Sequence, residues 1–441
     1  MAAPAIIPGY REHSSRILAI RDAMQHCVAE LSAGNVVAAN TALLFMSCLA
    51  SPSGDPMQRV AFAFAEALGH RALGLQPGLS WALQLQVSRL PFREYTHKAQ
   101  QWLNVLSPLL RITTTAADHV IVAAMEAEKN VHVVDLGGAS PKQWLILLRL
   151  FAARPGGAPS LRLTVVSEHQ DYLSSTGGLL TQEAVRLHVP FVFNPVQSHI
   201  DRFSAPDVKA LGVEDGQALV ITCTLQLHRL IADMTTVEVP VPPPAASDHQ
   251  QGNTAAAARK RKKPEQPTAP SSQITKADAL LRVLRDLSPK LVVLTEQEAD
   301  HNGVLLWNRI CNALDYYAAL FNDLEAGGAP RESGDRAAVE RLLLREEIMD
   351  IVARDGPLRR ERHEKVARWA LRMRAAGFEA SKMSFDAFAE TVKLAQEMSG
   401  NGIQRHYRVM KHDGNFIVYS GLTPMFSVSA WQPARRTQDR R

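Results

Sequence analysis

Residues 131–140 read Val-His-Val-Val-Asp-Leu-Gly-Gly-Ala-Ser, and this stretch decides the fold. The run Val131, His132, Val133, Val134 ends in a carboxylate, Asp135, and the pair Gly137-Gly138 follows closely. An apolar helical stretch, residues 144–151, comes next. Buried strand, tight glycine turn and helix N-terminus together make the nucleotide-binding corner of a βαβ unit. Free N–H groups at such a corner face an anion. Here, however, the two glycines are adjacent rather than spaced as in a dinucleotide loop. Pro141 fits the first helical turn but removes one donor. The corner formed by Asp135, Gly137, Gly138 and, past the second strand, Glu168 is therefore read as vestigial, and no cofactor is expected.

Outward from this corner the chain alternates strand and helix. Short apolar runs with little alternation mark strands at 161–167, 191–193, 218–222 and 291–295, as expected for strands buried on both faces. Helices are expected at 115–128 and 179–187. The sum is an α/β, Rossmann-like (methyltransferase-like) doubly wound sheet. Three closely spaced strands near 406–410, 416–419 and 425–431 add antiparallel pairing at one edge. Ahead of the core, residues 12–100 read as a leucine-rich α-helical cap. Ile17, Ile20, Met24, Cys27 and Leu31 follow helical spacing up to Gly34. A second helix is expected at 36–49, and a third begins at Asp55-Pro56 as cap and first turn. Residues 101–238 form the first part of the core, with a second leucine-rich block at 177–209. Residues 276–380 continue the core, and 381–433 form the C-terminal region.

Between them, residues 239–275 are rich in Pro, Ala, Gln and Ser and poor in large apolar residues, so disorder is expected. This insertion holds Arg259, Lys260, Arg261, Lys262 and Lys263, a candidate nuclear-import signal. Those five belong to 49 basic residues, and the rest of the chain balances its 44 acidic residues. A domain gripping DNA through many phosphates carries a basic excess, so tight binding to DNA by the chain alone is not expected. The four cysteines lie far apart with no zinc-like spacing and are read as buried thiols, and no metal is expected. No apolar run reaches the length of a membrane span.

His132 is read as a core histidine, and His228 and His301 as capping or packing groups. Glu296 and Glu298 are read as facing apart, unsuited to shared acid–base work. Residues 359–364 are read as a partly buried ion network, and Trp431 as a plug of the core.

The ordered motifs resemble the GRAS family of plant transcriptional regulators, in its scarecrow-like branch. The strand motif Val131, His132, Val133, Val134, Asp135 carries the likeness, with Gln143-Trp144, Arg154-Pro155-Gly156-Gly157, Gln226-Leu227-His228, Thr295-Glu296-Gln297, Arg360-Glu361-Arg362-His363-Glu364 and the closing Ser429-Ala430-Trp431. The resemblance implies a non-enzymatic nuclear coregulator acting through protein–protein contacts. Its partners would be zinc-finger transcription factors or other GRAS-type proteins, with DNA reached only indirectly and homo- or hetero-dimers possible. Plant hormone (gibberellin) signalling or development would be its setting. No DELLA segment precedes the motifs, which argues against gibberellin-receptor binding through one. The alternative from another class is an S-adenosylmethionine-dependent methyltransferase, with Asp135 and Glu168 toward the cofactor.

Overall fold

A computed structural model describes residues 8–79, 81–82, 92–137, 139–203, 205–238, 271–326, 333–399 and 406–435. Three helices open the chain: α1 (Pro8–Ser32), α2 (Val36–Leu49) and α3 (Pro56–Gly74). Asn35 caps α2, its side chain accepting from the Ala38 N–H. Asp55 and Gln58 form a reciprocal capping box on α3, with Pro56 in the first turn. Then come α4 (Phe92–Leu106), α5 (Pro108–Ala124), β1 (Asn130–Asp135), α6 (Pro141–Ala152), β2 (Ser160–Ser167), α7 (Gln170–Arg186), β3 (Phe191–Gln197), β4 (Ala218–Thr224), β5 (Met234–Glu238), β6 (Ser271–Thr275), α8 (Lys276–Asp286), β7 (Leu291–Gln297) and α9 (Leu306–Ala326). After α10 (Gly334–Val339) a π turn leads into α11 (Arg345–Ala353), followed by α12 (Val366–Ala375), β8 (Phe378–Ala380), α13 (Phe385–Met398), β9 (Tyr407–His412), β10 (Asn415–Ser420) and β11 (Thr423–Pro433).

The main sheet runs β3-β2-β1-β4-β7-β11-β10-β9, with β8 paired to β11. The five strands from β3 to β7 are parallel, and β11 closes antiparallel against β7. This is a Rossmann-like doubly wound sheet with an antiparallel edge. Alternation along the strands feeds two cores. Val131, Val133, Leu163 and Val293 face the larger one, which takes in the cap helices. Val134, Ile221, Val292 and Leu294 face the smaller one, with Trp369 and Trp431. No helix among the described residues is long and apolar enough to cross a membrane.

Several sequence expectations need correction. Helix α5 begins at Pro108 rather than 115, with Ser107 at its cap position. Helix α7 spans Gln170–Arg186 and runs straight through Gly177-Gly178. Gly177 is there for clearance, since a Cβ would lie 2.6 Å from the ring of Phe193 on β3. Strand β3 continues past Phe193 through Pro195 to Gln197, which an edge strand permits. The last five residues of the supposedly disordered insertion form β6, paired antiparallel with β5. The rest of that insertion, including Arg259, Lys260, Arg261, Lys262 and Lys263, lies outside the described residues. The N-terminal helices are not isolated from the later segment, because α3 packs on α9 and α11. Cys27 and Cys223 are buried, but Cys311 is half-buried and Cys48 exposed.

Candidate functional site

The glycine corner lies at the carboxyl end of β1, where doubly wound sheets bind ligands. Asp135 is fully buried, and its Oδ1 accepts the Gly137 N–H at 3.0 Å. Burial pushes its carboxyl up to about 7, against the opposing hydrogen bonds from Gly137 and Thr222. Gly137 sits at φ +108°, where a side chain is strained, and a Cβ would meet the Val166 carbonyl at 3.4 Å. Across the loop, the Tyr172 hydroxyl of α7 donates to the Ala139 carbonyl at 2.9 Å. The Gly137 N–H that would meet an anion is thus turned back onto Asp135, and Tyr172 bridges the turn. Glu168 follows β2 directly and is half-buried, with His169 Nε2 at 3.9 Å. Gly138 lies outside the described residues. Among the described residues of the corner, the Gly137 N–H and the Ala139 carbonyl are thus both engaged within the chain.

A second constellation lies at the carboxyl ends of β4 and β7. Glu296, buried on β7, accepts the Leu227 N–H at 2.9 Å and His228 Nδ1 at 2.8 Å. The other ring nitrogen, His228 Nε2, stands 2.9 Å from Glu361 Oε2. Arg229 Nε donates to Glu361 Oε1 at 2.9 Å. His363 and His301 join through their Nδ1 atoms at 2.9 Å. Asp350 accepts the backbone N–H groups of Arg360 and Glu361, and the Tyr317 hydroxyl donates to Glu347 at 2.8 Å. Burial alone would drive the His228 proton off, but Glu296 and Glu361 outweigh it and hold the ring at about 9. Burial would raise Glu361, but Arg229 and His228 bring it down to about 2. Burial, then Glu361, pushes Glu347 up to about 7. His301 is lowered by burial to about 3.

Ligand atoms of His228, Glu361 and His363 lie within 4.8 Å of one another, the spacing of a metal centre. Both ring nitrogens of His228 already have carboxylate partners, Glu296 at 2.8 Å and Glu361 at 2.9 Å. The His228 ring lies against that of His363, tilted by 33° with centroids 4.1 Å apart. The cluster is a charged, proton-bridged tie. The adjoining cavity, lined by His228, Arg229, Leu225 and Glu347 among others, is about 10 Å³, room for a single water.

The other residues named from sequence fall in separate places. Val131, Val133 and Val134 are strand core. His132 Nε2 lies 2.8 Å from Thr164 Oγ1 inside the sheet. Arg360 reaches out to Asp233 at 2.7 Å. Ser429 Oγ accepts the Trp431 indole N–H at 2.9 Å, and Ala430 points to the opposite core. The reading of Glu296 and Glu298 as facing apart is corrected. Residues two apart on a strand share a face, and β7 ends between them at Gln297. They separate by partner: Glu298 accepts the Val366 N–H at 2.9 Å while Glu296 holds His228. Reading His228 and His301 as caps or packing missed the network. The one available signal was the number of ionisable residues in otherwise apolar segments.

The geometry defines a class: a Rossmann-like α/β protein with an engaged cofactor corner and a helical cap. The chain belongs to the GRAS domain family, whose model matches residues 20–432. It is 37% identical to "Scarecrow-like protein 3" of Arabidopsis thaliana, over 92% of this chain and 87% of that protein. It is 27% identical to "Scarecrow-like transcription factor PAT1" of the same plant, over 90% of this chain and 72% of that one. The crystal structure of SCL7 in Oryza sativa shares the fold, with a TM-score of 0.71 at 24% identity, covering 98% of this chain and all of that one.

Proposed function

We propose that this chain is a nuclear transcriptional coregulator that works by binding proteins, not by catalysis. One observation carries the reading. Helix α2, Val-Val-Ala-Ala-Asn-Thr-Ala-Leu-Leu-Phe-Met-Ser-Cys-Leu, has no charged residue in fourteen, yet it lies at the surface. Val37 is 81% exposed, Leu44 60% and Phe45 52%, with Cys48 beside them. Val37, Thr41, Leu44 and Cys48 follow 4-3-4 spacing, the seam of a helix packed on another helix. An apolar face of this kind is characteristic of a protein-interaction surface. The engaged glycine corner and the named relatives support the same reading. DNA is reached through the partner, a transcription factor of zinc-finger or GRAS type, in plant hormone or developmental regulation.

The test pairs a reporter assay with a gel shift. Co-expression with a DNA-bound zinc-finger partner should change reporter output, and Leu44→Asp with Phe45→Asp should abolish the change while the fold survives. Sequence-specific DNA binding by the isolated chain, as tight as that of dedicated DNA-binding proteins at physiological salt, would overturn the proposal.

A further inference from the structure

The buried network contains a ring nitrogen without a hydrogen-bond partner. His363 is fully buried, and its Nε2 makes no hydrogen bond. A buried polar atom left this way is costly and calls for a ligand. The other nitrogen, Nδ1, meets His301 Nδ1 at 2.9 Å. With the shared hydrogen on His363 Nδ1, the ring is neutral and Nε2 carries a lone pair. That atom stands 3.4 Å from Glu361 Oε2, which is itself 2.9 Å from His228 Nε2.

Two ligand atoms on a tetrahedral zinc, each about 2.0–2.1 Å from the metal, stand about 3.3–3.4 Å apart. The two measured gaps lie close to that spacing. Two imidazoles and one carboxylate are a set that Zn2+ takes with water in the fourth place, and the cavity of about 10 Å³ that His228 lines has room for the water. The groups behind the ligands also match. His228 Nδ1 stands 2.8 Å from Glu296, the carboxylate–histidine–metal arrangement. Arg229 occupies Glu361 Oε1 and leaves Oε2 to the two rings. Asp350 accepts the Glu361 N–H and fixes the backbone there. Glu296 and Glu361 together supply two negative charges against the two positive charges of the ion.

We propose that His228, Glu361 and His363 form a zinc site that ties the turn after β4 to the loop between α11 and α12. In the metal-free chain a proton on His228 Nε2 bridges to Glu361 Oε2. Zn2+ takes its place: the proton leaves to solvent, and His228 Nε2, Glu361 Oε2 and His363 Nε2 each give a lone pair. The rings lie tilted by 33° with centroids 4.1 Å apart, and a small turn of His363 about its unheld Nε2 edge opens room for the ion. Imidazole donors disfavour Mg2+ and Ca2+, which take oxygen ligands. The ion is structural: all three ligands are buried, and it stabilises the fold by binding only the folded arrangement. The site is separate from the exposed face of α2 and independent of the coregulator reading.

The test uses the purified, untagged full chain, stripped with a chelator and titrated with zinc sulfate by isothermal calorimetry. One Zn2+ should bind per chain, undisturbed by a large excess of Mg2+, and the melting temperature should rise. X-ray absorption at the zinc edge of the loaded chain should show nitrogen and oxygen neighbours at about 2.0–2.1 Å, two of them imidazole, and no sulfur at about 2.3 Å. Glu296→Gln keeps all three ligands but loosens the orientation of His228, and should weaken zinc by about 10–100-fold. His363→Asn should remove the one-to-one site, while Cys48→Ser, which alters an exposed thiol, should change nothing. If His363→Asn does not fold, the absorption spectrum of the unaltered chain decides. The absence of saturable zinc binding, a sulfur neighbour, fewer than two imidazoles, or one-to-one binding of full affinity in a folded His363→Asn chain would overturn the proposal.

Discussion

Replacing Glu361 with glutamine tests whether the buried network holds the fold together. Glu361 is the shared carboxylate of His228 and Arg229, both within 2.9 Å. The amide leaves the buried His228 with Glu296 as its one bonded carboxylate and takes away the carboxylate paired with the half-buried Arg229. Breaking a buried pair by removing one partner costs about 3–5 kcal/mol, and Glu361→Gln should lower unfolding free energy by about that much near neutral pH. The pH dependence then assigns the effect. His228 rises from 6.5 to about 9 in the folded chain, worth about 3 kcal/mol at roughly 1.4 kcal/mol for each tenfold change. A raised histidine contributes stability that is complete below 6.5 and lost as pH climbs through 9. Glu296 shares in the raising, so about half the gain, of order 1–2 kcal/mol, belongs to Glu361. Urea unfolding followed by circular dichroism at pH 6.5 and pH 9.5 reads both quantities. The gap between wild type and variant should narrow by that amount at the higher pH and persist in part through Arg229. A gap below about 1 kcal/mol, the size of an exposed ion pair, or one constant across the window, would refute the reasoning.

Three further outcomes follow from other parts of the fold. Trp431→Ala should cost about 3–5 kcal/mol, because the ring is fully buried with Trp369 and Phe378; a melting temperature within a degree of wild type would place it at an interface instead. Gly137→Val should destabilise by about 1–3 kcal/mol from backbone strain at φ +108°, read as a shift in urea midpoint; an unchanged midpoint would show that the turn is not constrained. Replacing Arg259, Lys260, Arg261, Lys262 and Lys263 with alanine should move a large fluorescent fusion from nucleus to cytoplasm without changing its melting temperature, and continued nuclear accumulation would remove the import role.

The parallel strands were legible because burial on both faces imposes continuous apolar runs, as in β4 and β7. Helix α2 was legible to the residue because Gly34-Asn35 and Ala50 bracket it cleanly. Elsewhere a local signal was overridden by packing. The helix expected at 179–187 starts earlier, at Gln170, and carries Gly177 in its interior because a Cβ there would meet Phe193. Ser271–Thr275 is polar enough to read as linker, and becomes a strand only because β5 is there to pair with it. The ion network is illegible for a different reason. His228, Glu296 and Glu361 come together through sheet order across spans of 68 and 133 residues, and no local pattern carries that information. The exposed face of α2 is harder still to read, because its composition is that of a core helix and only the fold shows one side uncovered.

The central claim is that this Rossmann-like core no longer serves a cofactor. Isothermal titration calorimetry of the purified chain with S-adenosylmethionine, and separately with its demethylated product, tests it most directly. The engaged Gly137 N–H and the Tyr172–Ala139 bond predict no saturable heat from either compound. Stoichiometric binding that disappears on Gly137→Val, with methyl transfer to any acceptor, would contradict the account.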